Sequence, residues 1–196
     1  MTTHLFRSGA ILALIISGAF VAGCDLAKGP DSHDGAITVP AAAHGDPASA
    51  PVQPIDYRHS IHAGQLKIPC LYCHNNADKS PIANVPAVST CMNCHRIVAG
   101  SNPTYQKEIA KVVDYYNRGQ AIPWVSVYRL PDHAWFSHKR HVKAGMQCQT
   151  CHGPVQQMDH VYKYSSLKMG WCVTCHKANL HNAQFASSID CYTCHK

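Results

Sequence analysis

One short pattern occurs five times in this chain and carries its chemistry. Cys-x-x-Cys-His stands at residues 70–74 (CLYCH), 91–95 (CMNCH), 148–152 (CQTCH), 172–176 (CVTCH) and 191–195 (CYTCH). Two thiols three residues apart can grip a zinc ion, but a structural zinc takes four ligands, so five pairs would combine in twos and leave one over. A redox dithiol is expected once, not five times. The histidine decides between these readings. If chance places a histidine after a pair about one time in ten, five in five is on the order of one in 10⁵. Cys-x-x-Cys-His is the attachment motif of haem c: the thiols form thioethers to two vinyl groups, and the next residue offers its imidazole to the iron. The reading is five covalently bound haems c. The thioether donors are Cys70 and Cys73, Cys91 and Cys94, Cys148 and Cys151, Cys172 and Cys175, Cys191 and Cys194; the proximal ligands are His74, His95, His152, His176 and His195.

A low-spin iron needs a second axial ligand. The stretch "YRHSIH" (57–62) precedes the first pair and "FSHKRH" (136–141) precedes the third. Each reads aromatic, spacer, His-x-x-His, then a short run to a Cys pair, so the chain contains an internal repeat. Histidines three apart on a helical turn share a side and can serve two neighbouring haems. His59, His62, His138 and His141 thus supply four distal ligands. For the fifth iron the residues leave Met169, Met158, His160, His181 and His133 open; a thioether there would raise that haem's potential.

The repeat divides the chain. Residues 55–101 form a first module with two haems and 136–196 a second with three, joined by a helix and an extended strap at 102–135. The helix is marked by Asn102 as cap, Pro103 in the first turn, an apolar face of Ile109, Val112, Val113 and Tyr116, and a stop at Arg118-Gly119. That face most simply packs against haem. The strap "AIPWVSVYRLPDHAWF" is too rich in proline for a central strand and lays Trp124, Val127, Leu130 and Trp135 over a surface. The fold expected is mainly irregular with short α-helices, as two modules packed around five haems. With so little protein per macrocycle, the apoprotein should not fold alone.

Ahead of the modules, residues 1–23 read as a lipoprotein signal peptide: an apolar run ends in Val21-Ala22-Gly23-Cys24, which resembles a lipobox. Cleavage would make Cys24 a lipidated N-terminus, and two acyl chains at about 0.8 kcal/mol per methylene suffice for stable anchoring. The alternative is an uncleaved transmembrane anchor. Either way the chain is exported to the periplasmic face of a bacterial membrane, where unclaimed cysteines would tend to oxidise. Residues 24–54 are rich in Ala, Pro and Gly and read as a flexible tether, with His33 and His44 solvated in it.

Charge excludes less than it suggests. The apoprotein carries +6, but two propionates per haem, offset by the ferric irons, bring the holoprotein close to neutral. Basicity is therefore no argument for nucleic acid.

The two modules resemble class III multihaem cytochromes c. A closer resemblance, from about residue 54 to 196, lies in "IPCLYCHNNADKSPIANVPAVSTCMNCH", "IPWVSVYRLPDHAWFSHKRHVKAGMQCQTCHGPV" and "MGWCVTCHK": these look like the pentahaem subunit of alternative complex III, a quinol-oxidising bacterial membrane complex. The resemblance implies a non-catalytic electron relay. Its partners would be an iron–sulfur subunit resembling molybdopterin enzymes and integral quinol-binding subunits, and it would pass electrons to a cytochrome c or a terminal oxidase. By position it favours Met169 as the fifth distal ligand. That family is often held by a transmembrane helix, where this chain carries the lipobox. Readings left beside it are an independent membrane-anchored multihaem carrier, a multihaem reductase, and a related quinone reductase complex working in the opposite direction.

Overall fold

A computed structural model describes residues 44–182, 184–185 and 187–196; the signal peptide, Cys24 and His33 lie outside the described residues. Seven α-helices follow in order: α1 (Cys70–Cys73), α2 (Val88–His95), α3 (Pro103–Asn117), α4 (His138–Lys143), α5 (Cys148–His152), α6 (Met169–Ala178) and α7 (Cys191–Cys194). A π-turn covers Ser60–Gln65, and 3₁₀ turns cover Pro47–Ser49 and Val155–Gln157. Among the described residues the β-pairing is one isolated antiparallel bridge, between His44 and Ser165. No described helix is long and apolar enough to cross a membrane.

Every Cys pair sits in a helix, namely α1, α2, α5, α6 and α7. Three of these are a single turn, far below the length that water alone sustains. Backbone bonds close them instead, from His74 N to the Cys70 carbonyl (2.8 Å), from Gly153 N to that of Gln149 (2.9 Å) and from His195 N to that of Cys191 (2.9 Å). Asp190 also caps α7, accepting from Tyr192 N at 2.8 Å.

The long helix α3 begins and ends where its sequence signals stand. The Asn102 side chain accepts from Tyr105 N at 3.0 Å, Pro103 opens the first turn, and Gly119 leaves the helix at φ +64°. Its inner face meets protein: Val112 is buried with Ile55, Met92 and Ile122, while Val88, Cys91, Val113, Tyr115 and Trp124 pack around them. Tyr116, expected on that face, is half out in solvent, where its hydroxyl accepts from Arg96 at 3.2 Å. Tyr115, three residues from Val112, takes the inner place instead.

The strap at 120–137 forms no regular element. Its first half is fastened by Gln53, whose side chain donates to the Val125 carbonyl and accepts from Val125 N, both at 2.9 Å. Residues 44–54, expected in a flexible tether, are thus partly docked. His44, expected to be a solvated linker residue, stacks on Tyr164 with ring centres 4.2 Å apart, and Gly45 N donates to the Tyr164 carbonyl at 2.7 Å. Of the strap residues, Trp124 packs on the α3 cluster, whereas Trp135 is 43% exposed with Lys196 Nζ 3.9 Å over its ring.

Candidate haem sites

Site 1 is built on α1, site 2 on α2, site 3 on α5, site 4 on α6 and site 5 on α7. Their fitness for haem is tested by the histidines. Metal–imidazole bonds of about 2.0 Å, with about 1.1 Å from each nitrogen to its ring centre, put two rings on one iron about 6.2 Å apart. Three pairs of the expected ligands meet that distance: His62 and His95 at 6.2 Å, His138 and His152 at 6.3 Å, His141 and His176 at 6.1 Å. The rings of His138 and His152 are also nearly parallel, at 9°.

Hydrogen bonding at Nδ1 would leave Nε2 for an iron. When Nδ1 donates to a carbonyl, the tautomer is fixed and the lone pair is left on Nε2. The Nδ1 acceptors are the carbonyls of Asn84 for His74 (2.7 Å), Val98 for His95 (2.9 Å), Ser188 for His176 (2.6 Å) and His133 for His195 (2.9 Å). On the distal side they are those of Arg58 for His62 (3.0 Å), Pro81 for His138 (3.0 Å) and Ser137 for His141 (2.8 Å). Asn84 aims its carbonyl from the left-handed region at φ +61°, which asparagine tolerates better than most residues. These acceptors are backbone atoms, so sequence reading could not have found them.

The protonation equilibria fit the same arrangement. Burial, then the charges of His74 and His62, lowers His59 to about 4. Burial, then His138 and His74, lowers His152 to about 4. His62 and His141 are also lowered, by burial first. Neutral imidazoles are the form an iron takes. His59 has His74 as its electrostatic neighbour, and its Nδ1 is buried without a hydrogen-bond partner.

In each half one aromatic ring touches both histidines expected as distal ligands. Tyr57 lies edge-on to His59 (4.9 Å, 89°) and stacks on His62 (4.4 Å, 25°); Phe136 lies edge-on to His138 (4.8 Å, 90°) and stacks on His141 (4.4 Å, 29°).

None of the ten described cysteines forms a disulfide. Their thiols neighbour one another from site to site. A hydrogen bond with Cys70 pushes Cys148 well up. Burial, then the charges of Cys175 and Cys172, raises Cys151 to about 11. Cys91 is raised by burial and then by Cys73, and Cys172 by burial and then by Cys194.

The structure narrows the candidates for the fifth distal ligand. The carbonyl of His133 already lies on the Nδ1 side of His195. Its ring, 5.7 Å from that of His195, cannot also reach across the iron on the Nε2 side. Met158 is buried beneath the π-turn, its carbonyl accepting from Ser60 N at 3.0 Å. His160 faces Asp56 at 3.6 Å, beside the first module. Met169 stands three residues before Cys172 at the start of α6, with its side chain exposed.

Residues 134–196 match the family described as cytochrome c7 and related cytochrome c. The chain is also 29% identical over 164 residues, 74% of this chain and 77% of the relative, to the menaquinone reductase, multiheme cytochrome c subunit, of Nitratidesulfovibrio vulgaris (strain Hildenborough). With the motifs on the page, these likenesses support a multihaem cytochrome c carrying covalently bound c-type haem.

Proposed function

We propose that this multihaem cytochrome c holds five haems and serves as the non-catalytic electron-transfer subunit of a membrane complex that exchanges electrons with a quinone pool. A bound haem supplies one-electron oxidation and reduction of its iron. The protein's part is to hold both axial positions: His59 and His74, His62 and His95, His138 and His152, His141 and His176, and Met169 with His195. The observation that carries this is the three imidazole pairs with ring centres 6.1–6.3 Å apart. Axial positions filled by side chains leave none for a substrate, which favours a relay over a reductase.

The resemblance to the pentahaem subunit of alternative complex III supports quinol oxidation, with electrons leaving to a cytochrome c or a terminal oxidase. The relative's name gives specific support to a second reading, a subunit of a quinone reductase complex. Both readings place the chain on the periplasmic face, anchored through a lipidated Cys24, beside an iron–sulfur subunit and integral quinone-reactive subunits. Purification of the holoprotein from native membranes tests the proposal. Co-purification with an iron–sulfur subunit and quinone-reactive membrane subunits is expected; a protein that always emerges as a free monomer would overturn it. Steady reduction of the haems by added quinol would separate oxidation from the reverse direction.

A further inference from the structure

The five sites do not follow one another in space as they do in sequence. Sites 1 and 2 are joined by His59, which caps the π-turn, and His62, which lies within it, and by Asn93 of α2 donating to the Tyr72 hydroxyl of α1 at 3.2 Å. Sites 3 and 4 are joined by α4, which carries the distal histidine of each. Sites 4 and 5 meet at Ser187 and Ser188. The Ser188 carbonyl accepts from His176 Nδ1 at 2.6 Å, its hydroxyl accepts from Thr193 of α7 at 3.2 Å, and the Ser187 hydroxyl donates to the His176 carbonyl at 2.7 Å.

The link between the modules decides the order. His138 N and Lys139 N donate to the carbonyls of Pro81 (3.0 Å) and Ser80 (3.1 Å), in the loop that follows site 1. That loop also provides Asn84, the acceptor for His74 of site 1. The Cys148 thiol of site 3 has that of Cys70 in site 1 as its neighbour. Site 3 therefore leans on site 1, although site 2 precedes it in sequence. Site 2 is turned the other way, toward α3, where Met92 and Cys91 join the Val112 cluster.

The geometry points to a single unbranched series of sites in the order 2–1–3–4–5, in which the first site of the chain is interior and sites 2 and 5 are the two ends. Redox partners must then approach at those ends. Each end presents apolar side chains to solvent: Ile97 (90% exposed) and Val98 (54%) follow α2, and Tyr192 (82%) lies in α7. A one-electron donor protein would meet one end and a one-electron acceptor protein the other.

This inference rests on the five-haem reading, and a count of haem iron per chain keeps the two apart. Iron positions in the holoprotein, located by anomalous scattering, test the order. The expected result is five irons with the site 1 iron flanked by those of sites 2 and 3. Five irons with site 2 beside site 3 and site 1 at an end would overturn the order alone, and a count other than five would overturn the reading beneath it. In solution, Cys70→Ala with Cys73→Ala should isolate the site 2 haem, whose EPR signal loses the relaxation enhancement of a neighbour. Cys91→Ala with Cys94→Ala should leave the remaining four signals coupled. The opposite pattern would contradict the order.

Discussion

The two His-x-x-His stretches place their side chains almost identically on different backbones. Around Tyr57 the chain makes a π-turn, Ser60–Gln65, and around Phe136 an α-helix, His138–Lys143. The ring contacts still agree within about 4° in plane angle and 0.1 Å in centre distance. In both, the second histidine donates from Nδ1 to the carbonyl four residues earlier. What is repeated is therefore the wedge of one aromatic ring between two imidazoles, and the helix type adapts to it. The modules differ in what surrounds the wedge. In the first, Arg58 bridges Asp56 (3.0 Å) and Asp159 (3.3 Å), and His59 Nδ1 has no partner; in the second, His138 Nδ1 donates to Pro81. A donating Nδ1 makes the other nitrogen more basic and favours the ferric iron. As distal ligands, His138 would thus be the stronger donor and His59 the weaker.

The largest predicted effect tests the shared wedge. His62→Leu and His141→Leu should each convert one haem from low to high spin, by visible and EPR spectroscopy; a change in only one variant would break the equivalence of the modules. Next comes a glycine with no counterpart in the first module. Gly153, after His152, has φ +70° and ψ −168°, a region open essentially to glycine, and an added Cβ would collide with the Tyr164 ring. Gly153→Ala should cost about 3 kcal/mol or more by thermal unfolding and lower occupancy of site 3. Asn75→Ala, at the matching position after His74, should have little effect.

Acid should act on both modules together. His59 and His152 have folded-state values of about 4, below the ordinary histidine value. Their contribution to stability is therefore intact above pH ~6.5 and is lost as pH falls toward ~4, because the unfolded chain takes up protons first. The unfolding midpoint, measured between about pH 7 and pH 4, should fall as the pH falls. Helix α3 should show an effect on stability alone: Asn102→Ala should cost about 1 kcal/mol in unfolding while leaving the haem spectra unchanged. The smallest change expected is Tyr57→Phe, which copies Phe136 and should shift stability by no more than about 0.5 kcal/mol.

Much of this site was legible because it is written in side-chain identity. The Cys pairs, proximal histidines, His-x-x-His repeats and the caps of α3 are all residue types at fixed spacing. The acceptors that orient the imidazoles were not legible, since a backbone carbonyl carries no residue code. The choice of Tyr115 over Tyr116 turned on which of two adjacent stripe positions faced Val112. The docking of residues 44–54 depends on Gln53 meeting Val125 across 72 positions, a separation that local pattern does not register. The spatial order of sites likewise depends on the long-range bond between His138 and Pro81.

The central claim is that five Cys-x-x-Cys-His turns each hold a covalent haem with both axial positions filled by the protein. The intact mass of the exported holoprotein, taken with its ferric EPR spectrum, tests this most directly. The account predicts a mass with five haems attached and wholly low-spin iron. A mass with fewer than five haems, or a high-spin signal in the unaltered protein, would contradict it.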